Sequence, residues 1–426
     1  MEKSQDKKEI FVIPTSSGNG FIIYAPLKRC AFWVNNEYGE CLKVCMEKNI
    51  PLPEKYKELR KQYETLLARP SIPIIQNSDN LCPQSRVVFI LSQKCNLGCS
   101  YCYASKAHSD AEISWEKVSK TIDYVLDNNE NCRKEFSFIG GGEPMMTWEL
   151  LKKTVLYAEE QAANRGEHVE FSMTTNGILL NDVRTEWLAE HNFRIGVSFE
   201  ILPEIQDKQR CFPDGTGSFV YVDKGIKTLL KYGIIPGFRS TITEENVQKM
   251  QEMVQFTISH YPEVKRLHFE HVSGNMANQE QYYSDFIKNF IPAVKLAKDH
   301  GIKLKNSITH SMNYIRTVFC KGELCITPTG DIVSCHRISS DKDSFFDTFR
   351  YGYVNGEKFN LLSDHMSLNK SCLLKAQCDT CFAQWHCAGG CAYNRLIYSQ
   401  KQMEQLCKFT RNLILKSLEC KFDEVK

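Results

Sequence analysis

Thirteen of the 19 cysteines fall in two stretches, and their spacing is the part of this sequence best able to do chemistry. Cys95, Cys99 and Cys102 form a C-x3-C-x2-C run, and ten more cysteines lie between Cys320 and Cys420. Three thiolates leave one iron of a four-iron, four-sulfur cube without a protein ligand, whereas an electron-transfer cluster takes four. An open iron can chelate a small molecule, much as a catalytic zinc keeps a position for substrate. A zinc site is the alternative that these residues leave open, with His108 available as a fourth donor. The scattered Cys30, Cys41, Cys45, Cys82, Cys132 and Cys211 suit small buried apolar side chains.

Such ligands need a scaffold, and the chain offers one in regular alternation. Strand-like runs at Val87–Ser92, Glu135–Ile139, Val169–Thr175, Arg194–Glu200, Gly237–Thr243 and Arg266–Val272 alternate with helix-like segments at Ser114–Leu126, Trp148–Ala163, Val222–Tyr232, Glu245–Ser259 and Glu280–His300. Six β/α units in this order predict an α/β fold, an open partial (β/α)6 barrel with a parallel sheet, and chemistry beyond the carboxyl ends of its strands. A small β/α lobe precedes it, with FVIP and GFIIYAP around a Ser17-Gly18-Asn19-Gly20 turn, AFWV, and helical stretches from Asn35 and from Pro53 to Ala68. The segment RPSIPIIQNSDNLCPQS reads as a linker. From about residue 309 the alternation is lost in a loop-rich, cysteine-dense tail. The expected division is a lobe and linker over 1–84, a core over 85–308 and a tail over 309–426.

A formal net charge of +2 and a pI near 7.8 give no reason to expect nucleic acid as a partner. No apolar run reaches the length of a membrane span, and the start, MEKSQDKKEI, lacks the apolar stretch of a signal peptide, so the expected location is the cytoplasm. Structural disulfides are rare there, which turns the thiols toward metal binding or redox chemistry.

With Tyr101 before its last cysteine and a first β/α strand ahead of it, the C-x3-C-x2-C run resembles that of the radical S-adenosylmethionine (SAM) superfamily. At the end of the second strand, Gly140-Gly141-Gly142-Glu143-Pro144 resembles the GGEP motif of that family. Glycines there let the backbone approach a ligand, and the Glu143 carboxylate suits an ammonium group. Thr174-Thr175-Asn176-Gly177 resembles the TNG segment, and Ser198 and Arg239 lie on the fourth and fifth strands, where relatives contact the SAM ribose and carboxylate. Many relatives carry SLDG on the fourth strand, where this chain has Ser198-Phe199-Glu200-Ile201.

The tail matches the seven-cysteine SPASM pattern through Cys320, Gly330, Cys335, Cys378, Cys381, Cys387, Cys391 and Cys407. By that resemblance Cys378, Cys381, Cys387 and Cys407 hold an outer auxiliary [4Fe-4S] cluster, and Cys320, Cys335 and Cys391 an inner one. Cys325 is the candidate for the inner cluster's fourth ligand; Cys372 and Cys420 are left without a task. The implied cofactors are three [4Fe-4S] clusters and SAM, reduced by an external donor of flavodoxin or ferredoxin type. The implied chemistry is reductive cleavage of SAM to a 5′-deoxyadenosyl radical that takes hydrogen from a peptide or protein side chain.

Two substrates compete under that resemblance. Thioether or carbon–carbon cross-linking of a ribosomally made peptide is favoured by the N-terminal lobe, which is similar to the domain that peptide-modifying relatives use to add a leader as an edge strand. Sulfatase maturation to formylglycine is the alternative, but those relatives place an Asp where this chain has His336, the candidate catalytic base. A non-catalytic zinc or electron-carrier protein would account for the cysteines but not for GGEP one strand later.

Overall fold

The computed structural model describes residues 9–73, 86–128, 133–274, 278–320, 322–362 and 378–423. The lobe opens with β1 (Phe11–Pro14), β2 (Phe21–Ala25) and β3 (Cys30–Val34), an antiparallel sheet in that order, followed by α1 (Asn36–Lys48) and α2 (Lys57–Ala68). Gly18 takes a left-handed backbone (φ 69°) in the predicted turn, and the Asn35 side chain caps α1 by accepting from the Tyr38 amide. All five β2 residues are buried because the strand faces two cores at once. Phe21, Ile23 and Ala25 pack with Leu42, Leu59 and Leu66 of the lobe, whereas Ile22 and Tyr24 join the main core. The lobe is further tied to the tail by Ser16, whose amide and hydroxyl donate to Glu419 at 2.5 and 2.7 Å. The linker beyond residue 73, the boundary near residue 84 and Cys82, Cys132 and Cys372 lie outside the described residues.

The core follows as β4 (Arg86–Phe89), α3 (Trp115–Asp127), β5 (Lys134–Phe138), α4 (Trp148–Ala163), β6 (Val169–Thr175), α5 (Asp182–Glu190), β7 (Arg194–Ser198), α6 (Pro203–Gln209), α7 (Phe219–Lys231), β8 (Gly237–Ile242), α8 (Met250–His260), β9 (Arg266–His271), α9 (Gln279–Asp299), β10 (Lys303–Lys305) and α10 (Ser307–Ser311). Strands β4 to β10 are parallel neighbours in chain order, so the predicted alternation is observed, with the short β10 added at one edge. Helices α5 and α6 are ones that periodicity did not mark; α5 buries only Thr185 and Leu188.

The tail is more regular than its sequence suggests. After β11 (Leu324–Ile326) come β12 (Asp331–Val333), α11 (Phe346–Phe349), β13 (Arg350–Val354) and β14 (Phe359–Leu361), and then α12 (Gln384–Cys387), α13 (Ala392–Ile397) and α14 (Gln400–Asp423). β11 pairs in parallel with β4, setting Cys325 opposite Val88, and β12 to β14 continue the same sheet antiparallel to eleven strands. Three-residue strands such as β11, β12 and β14 are too short for alternation to be read, and they are placed by pairing, β11 along β4 and β12 to β14 each on its neighbour.

Alternation sets the two faces of the sheet. Phe136 and Phe138 of β5, Phe171 and Met173 of β6, Ile195 and Val197 of β7 and Phe238 of β8 join the core with helix residues such as Ile122, Leu151 and Ile226. The intervening positions are polar and meet one another near the strand starts. Arg86 donates to Ser137 (2.9 Å) and pairs with Glu323 (2.7 Å), Arg194 pairs with Glu135 (2.7 Å), and Ser172 donates to Glu135 (2.5 Å). That network fills the amino end of the sheet and leaves its carboxyl end for the thiols.

A candidate active site at the carboxyl ends of the strands

The loop after β4 carries Cys95, Cys99 and Cys102 and is held from four directions by its backbone. The Gly142 amide donates to Ser92 O (2.9 Å) and the Glu143 amide to Lys94 O (2.8 Å), while the Gly98 and Ser100 amides donate to Cys211 O and Gln209 O (2.8 and 3.0 Å). A side chain at Gly142 is impossible without movement, since its Cβ would stand 1.9 Å from Lys94 O; Gly140 (φ 96°) and Gly141 (φ 63°) add left-handed backbone. The GGE segment is thus the second wall of the cysteine loop.

Glu143 is 4% exposed and accepts from Thr175 Oγ1 (2.6 Å), the Asn176 amide (2.7 Å) and the Met145 amide (3.1 Å). Burial pushes its carboxyl up while these three donors pull it down. The Asn176 side chain reaches the cysteine loop itself, donating to Asn96 Oδ1 at 2.7 Å. Gly141, Gly142, Glu143, Thr175 and Asn176 therefore converge beside the first three thiols. Ser198 ends β7 opposite Arg239 of β8, whose side chain is exposed.

Tyr101 is tied more firmly than its sequence suggests. Its hydroxyl donates to Glu200 and accepts from Arg210 Nη1 at 2.9 Å. Glu200, fully buried, also accepts from the Thr241 amide (3.0 Å); burial pushes its carboxyl up to about 7 against the pull of the Arg210 charge. Sequence reasoning treated Glu200 as a departure from SLDG and did not mark Arg210 at all. No motif announces an arginine between α6 and α7, and its role appears only when the chain folds it against Cys99.

Among the tail thiols, Cys378, Cys381, Cys387 and Cys407 line one cavity of about 550 Å³ together with Arg395 and Arg411. Residues Ala388, Gly389 and Gly390 all take positive φ (45°, 85° and 81°), a reversal that separates Cys387 from Cys391. Cys391 lies instead near Cys335, whose other thiol neighbour is Cys325, fully buried on β11. Cys320 is the exposed member of the set, on the loop before β11 beside Arg316. His108 Nε2 stands 3.9 Å from Cys102 Sγ.

Burial pushes the Cys95, Cys335 and Cys387 thiols up to about 12, and those of Cys99, Cys102 and Cys407 upward as well. A buried thiol in that state is a poor nucleophile, but becomes a thiolate when a metal centre supplies the opposing charge. Half-buried arginines stand beside each group with a buried, unpartnered Nε: Arg210 near Cys99, Arg337 near Cys335, and Arg395 near Cys387 and Cys407. Thiols flanked by orphaned cationic donors fit anionic iron–sulfur clusters.

His336 lies where the tail meets the GGE segment: a Cβ at Gly140 would touch its carbonyl oxygen at 2.9 Å. Its Nδ1 is 2.6 Å from Glu323 Oε2, and its ring meets Tyr103 edge-on at 6.4 Å. Burial would raise the Glu323 carboxyl, but the His336 hydrogen bond and the His336 and Arg86 charges outweigh it and hold it at about 2. A depressed carboxyl stabilises the fold above its ordinary value of 4.5 and loses that contribution as pH falls toward 2. In urea unfolding of the iron-free chain, Glu323→Gln is expected to cost about 1–3 kcal/mol at pH 7. That difference is expected to shrink as pH falls from 4.5 toward 2.

No helix among the described residues is long and apolar enough to cross a membrane. Residues 89–257 match the Radical SAM superfamily. The serine-type anaerobic sulfatase-maturating enzyme of Klebsiella aerogenes is 23% identical over 360 residues, 78% of this chain and 84% of that protein. Native anSMEcpe with bound AdoMet shares the fold at a TM-score of 0.67 and 16% identity, over 80% of this chain and all of that one. Streptococcus suis SuiB bound to precursor peptide SuiA aligns with a TM-score of 0.55 and 15% identity, over 92% of this chain and 96% of its own. With three thiols after the first core strand, a glycine-walled carboxylate after the second and this kinship, the chain is an enzyme with a radical SAM domain over residues 89–257, related to sulfatase maturases and peptide modifiers.

Proposed function

We propose that this enzyme matures a ribosomally synthesised peptide, forming a thioether or carbon–carbon cross-link on one of its side chains. The observation that carries this reading is the N-terminal lobe. Among the described residues its three-stranded sheet has β1 and β3 as its outer strands, and an extended leader peptide can extend such a sheet through backbone hydrogen bonds. The shared fold extends over 92% of the chain with peptide-bound SuiB against 80% with anSMEcpe, which supports the same reading.

In this proposal Cys95, Cys99 and Cys102 hold the SAM-binding cluster. Glu143, Thr175, Asn176, Tyr101, Ser198, Arg239 and the backbone at Gly141 and Gly142 shape the SAM site. Cys378, Cys381, Cys387 and Cys407 hold the outer auxiliary cluster, and Cys320, Cys325, Cys335 and Cys391 the inner one. Bound SAM and a reduced cluster supply the 5′-deoxyadenosyl radical chemistry. The protein's own part is to hold the substrate carbon near the strand ends and to take up a proton. His336 is suited to that proton, because Glu323 engages and orients the ring through Nδ1. The electron donor is a flavodoxin- or ferredoxin-type protein.

Sulfatase maturation is the second reading, favoured by likeness to the Klebsiella aerogenes enzyme over 78% of the chain. Mass spectrometry after anaerobic co-expression with candidate substrates separates the two. Cross-linking removes two hydrogens and resists reduction and alkylation at the linked cysteine; formylglycine instead gives an aldehyde that forms a hydrazone. An aldehyde on a sulfatase peptide, without cross-linking of any leader-bearing peptide, overturns the first reading.

A further inference from the structure

Arginine carries five N–H donors and no acceptor, so each buried one must find several partners. Arg86, Arg133, Arg165, Arg194 and Arg350 meet carboxylates in ion pairs. Four others behave differently. Arg210, Arg316, Arg337 and Arg395 are the arginines among the described residues whose Nε is buried without an acceptor. In each, a terminal nitrogen is anchored: Arg210 to the Tyr101 hydroxyl (2.9 Å), Arg316 to Phe319 O (2.9 Å), Arg337 to Asn394 Oδ1 (3.1 Å) and Arg395 to Gly389 O. Aromatic rings add to the fixation, with Tyr393 4.0 Å from the Arg337 guanidinium and Tyr314 5.5 Å from that of Arg316.

What unites the four is their neighbours. Arg210 acts on the Cys99 and Cys102 thiols, Arg337 on Cys335, and Arg395 on Cys387 and Cys407; Arg316 feels both Cys387 and Cys320. Every proposed cluster thus has its own half-buried arginine, anchored at one end and with its buried Nε unsatisfied. A random scatter of unsatisfied donors would not sort itself in this way. We propose that the Nε–H groups of Arg210, Arg337 and Arg395 donate to sulfurs of the SAM-binding, inner and outer clusters respectively, and thereby raise each cluster's reduction potential.

The physical reason is charge. Reduction adds an electron to an already anionic cluster, so a donor and a fixed positive charge at its sulfur favour the reduced form. Arginine keeps its proton where a buried lysine could shed one. Although burial works against its charge, Tyr101, Cys99 and Glu200 hold Arg210 protonated. The inference rests on the reading that these thiols hold iron–sulfur clusters, and its test separates the two.

Anaerobically reconstituted full-length enzyme, labelled with 15N at arginine Nε, is reduced and examined by hyperfine EPR with and without SAM. Nε coupling is expected on the signal that SAM perturbs and on both signals that it leaves alone. Arg210→Lys is expected to remove the coupling from the SAM-sensitive signal alone. At fixed poise it should also lower that cluster's reduced-to-oxidised ratio at least tenfold, about 59 mV for one electron. Arg395→Lys is expected to do the same at one SAM-insensitive signal. A fully loaded enzyme with no Nε coupling, or lysine variants whose midpoints do not move, overturns the inference. A chain that takes up no iron overturns the cluster reading instead. The labelled wild type needs no substitution, so a variant that fails to fold leaves the inference decidable.

Discussion

Replacing Cys95, Cys99 and Cys102 with alanine is expected to abolish 5′-deoxyadenosine formation while the tail retains its iron. The three thiols share one loop, beside Glu143, Thr175 and Asn176, the carboxylate and strand-end residues proposed to receive SAM. The tail thiols are carried by separate elements: the cavity with Cys378, Cys381, Cys387 and Cys407 is lined by α12, α13, α14 and the turns next to them. Removing the first group should therefore lower iron from about twelve to about eight atoms per chain, at four per cube. Turnover of SAM under dithionite should fall below detection. Continued cleavage would mean that the SAM-binding cluster has been assigned to the wrong cysteines.

The Glu143→Ala substitution ranks second. It removes the acceptor for Thr175 Oγ1 and for the Asn176 and Met145 amides, all within a site that is 4% exposed at Glu143. Each buried donor left without a partner costs about 1–3 kcal/mol, so a loss of several kcal/mol is expected across the three. The Asn176 side chain would lose its backbone anchor and, with it, its bond to Asn96 between Cys95 and Cys99. Equilibrium dialysis should show SAM affinity reduced at least a hundredfold, with a lowered thermal midpoint. Glu143→Gln offers one acceptor oxygen in place of a carboxylate and is expected to fall between. Wild-type SAM affinity in Glu143→Ala would remove this carboxylate from the site.

Much of the scaffold is written plainly in the sequence. β6 and α4 have the ends that periodicity predicts, and the other core strands differ by a few residues at their ends. Local alternation suffices there because each strand buries one face on helices adjacent in the chain. β4 and β7 end earlier than expected, at Phe89 and Ser198, where the chain leaves the sheet to build the site. The tail strands were not legible. Cys325 reads as one more ligand in a loop, yet it occupies a strand whose pairing partner, β4, lies more than two hundred residues earlier.

The sequence by itself determined the kinds of chemistry available: three thiols in C-x3-C-x2-C, a GGEP carboxylate one strand later, and a tail with two more thiol sets. Those facts are local, since spacing along a loop limits which side chains can share one cluster. Only the tertiary structure decided which distant residues complete the site. Glu200, Arg210, Glu323 and Arg337 carry no motif, and their positions beside Tyr101, Cys99, His336 and Cys335 depend on sheet register and helix packing. The physical reason is that a charge matters through its distance and its burial, and neither quantity exists until the chain has folded.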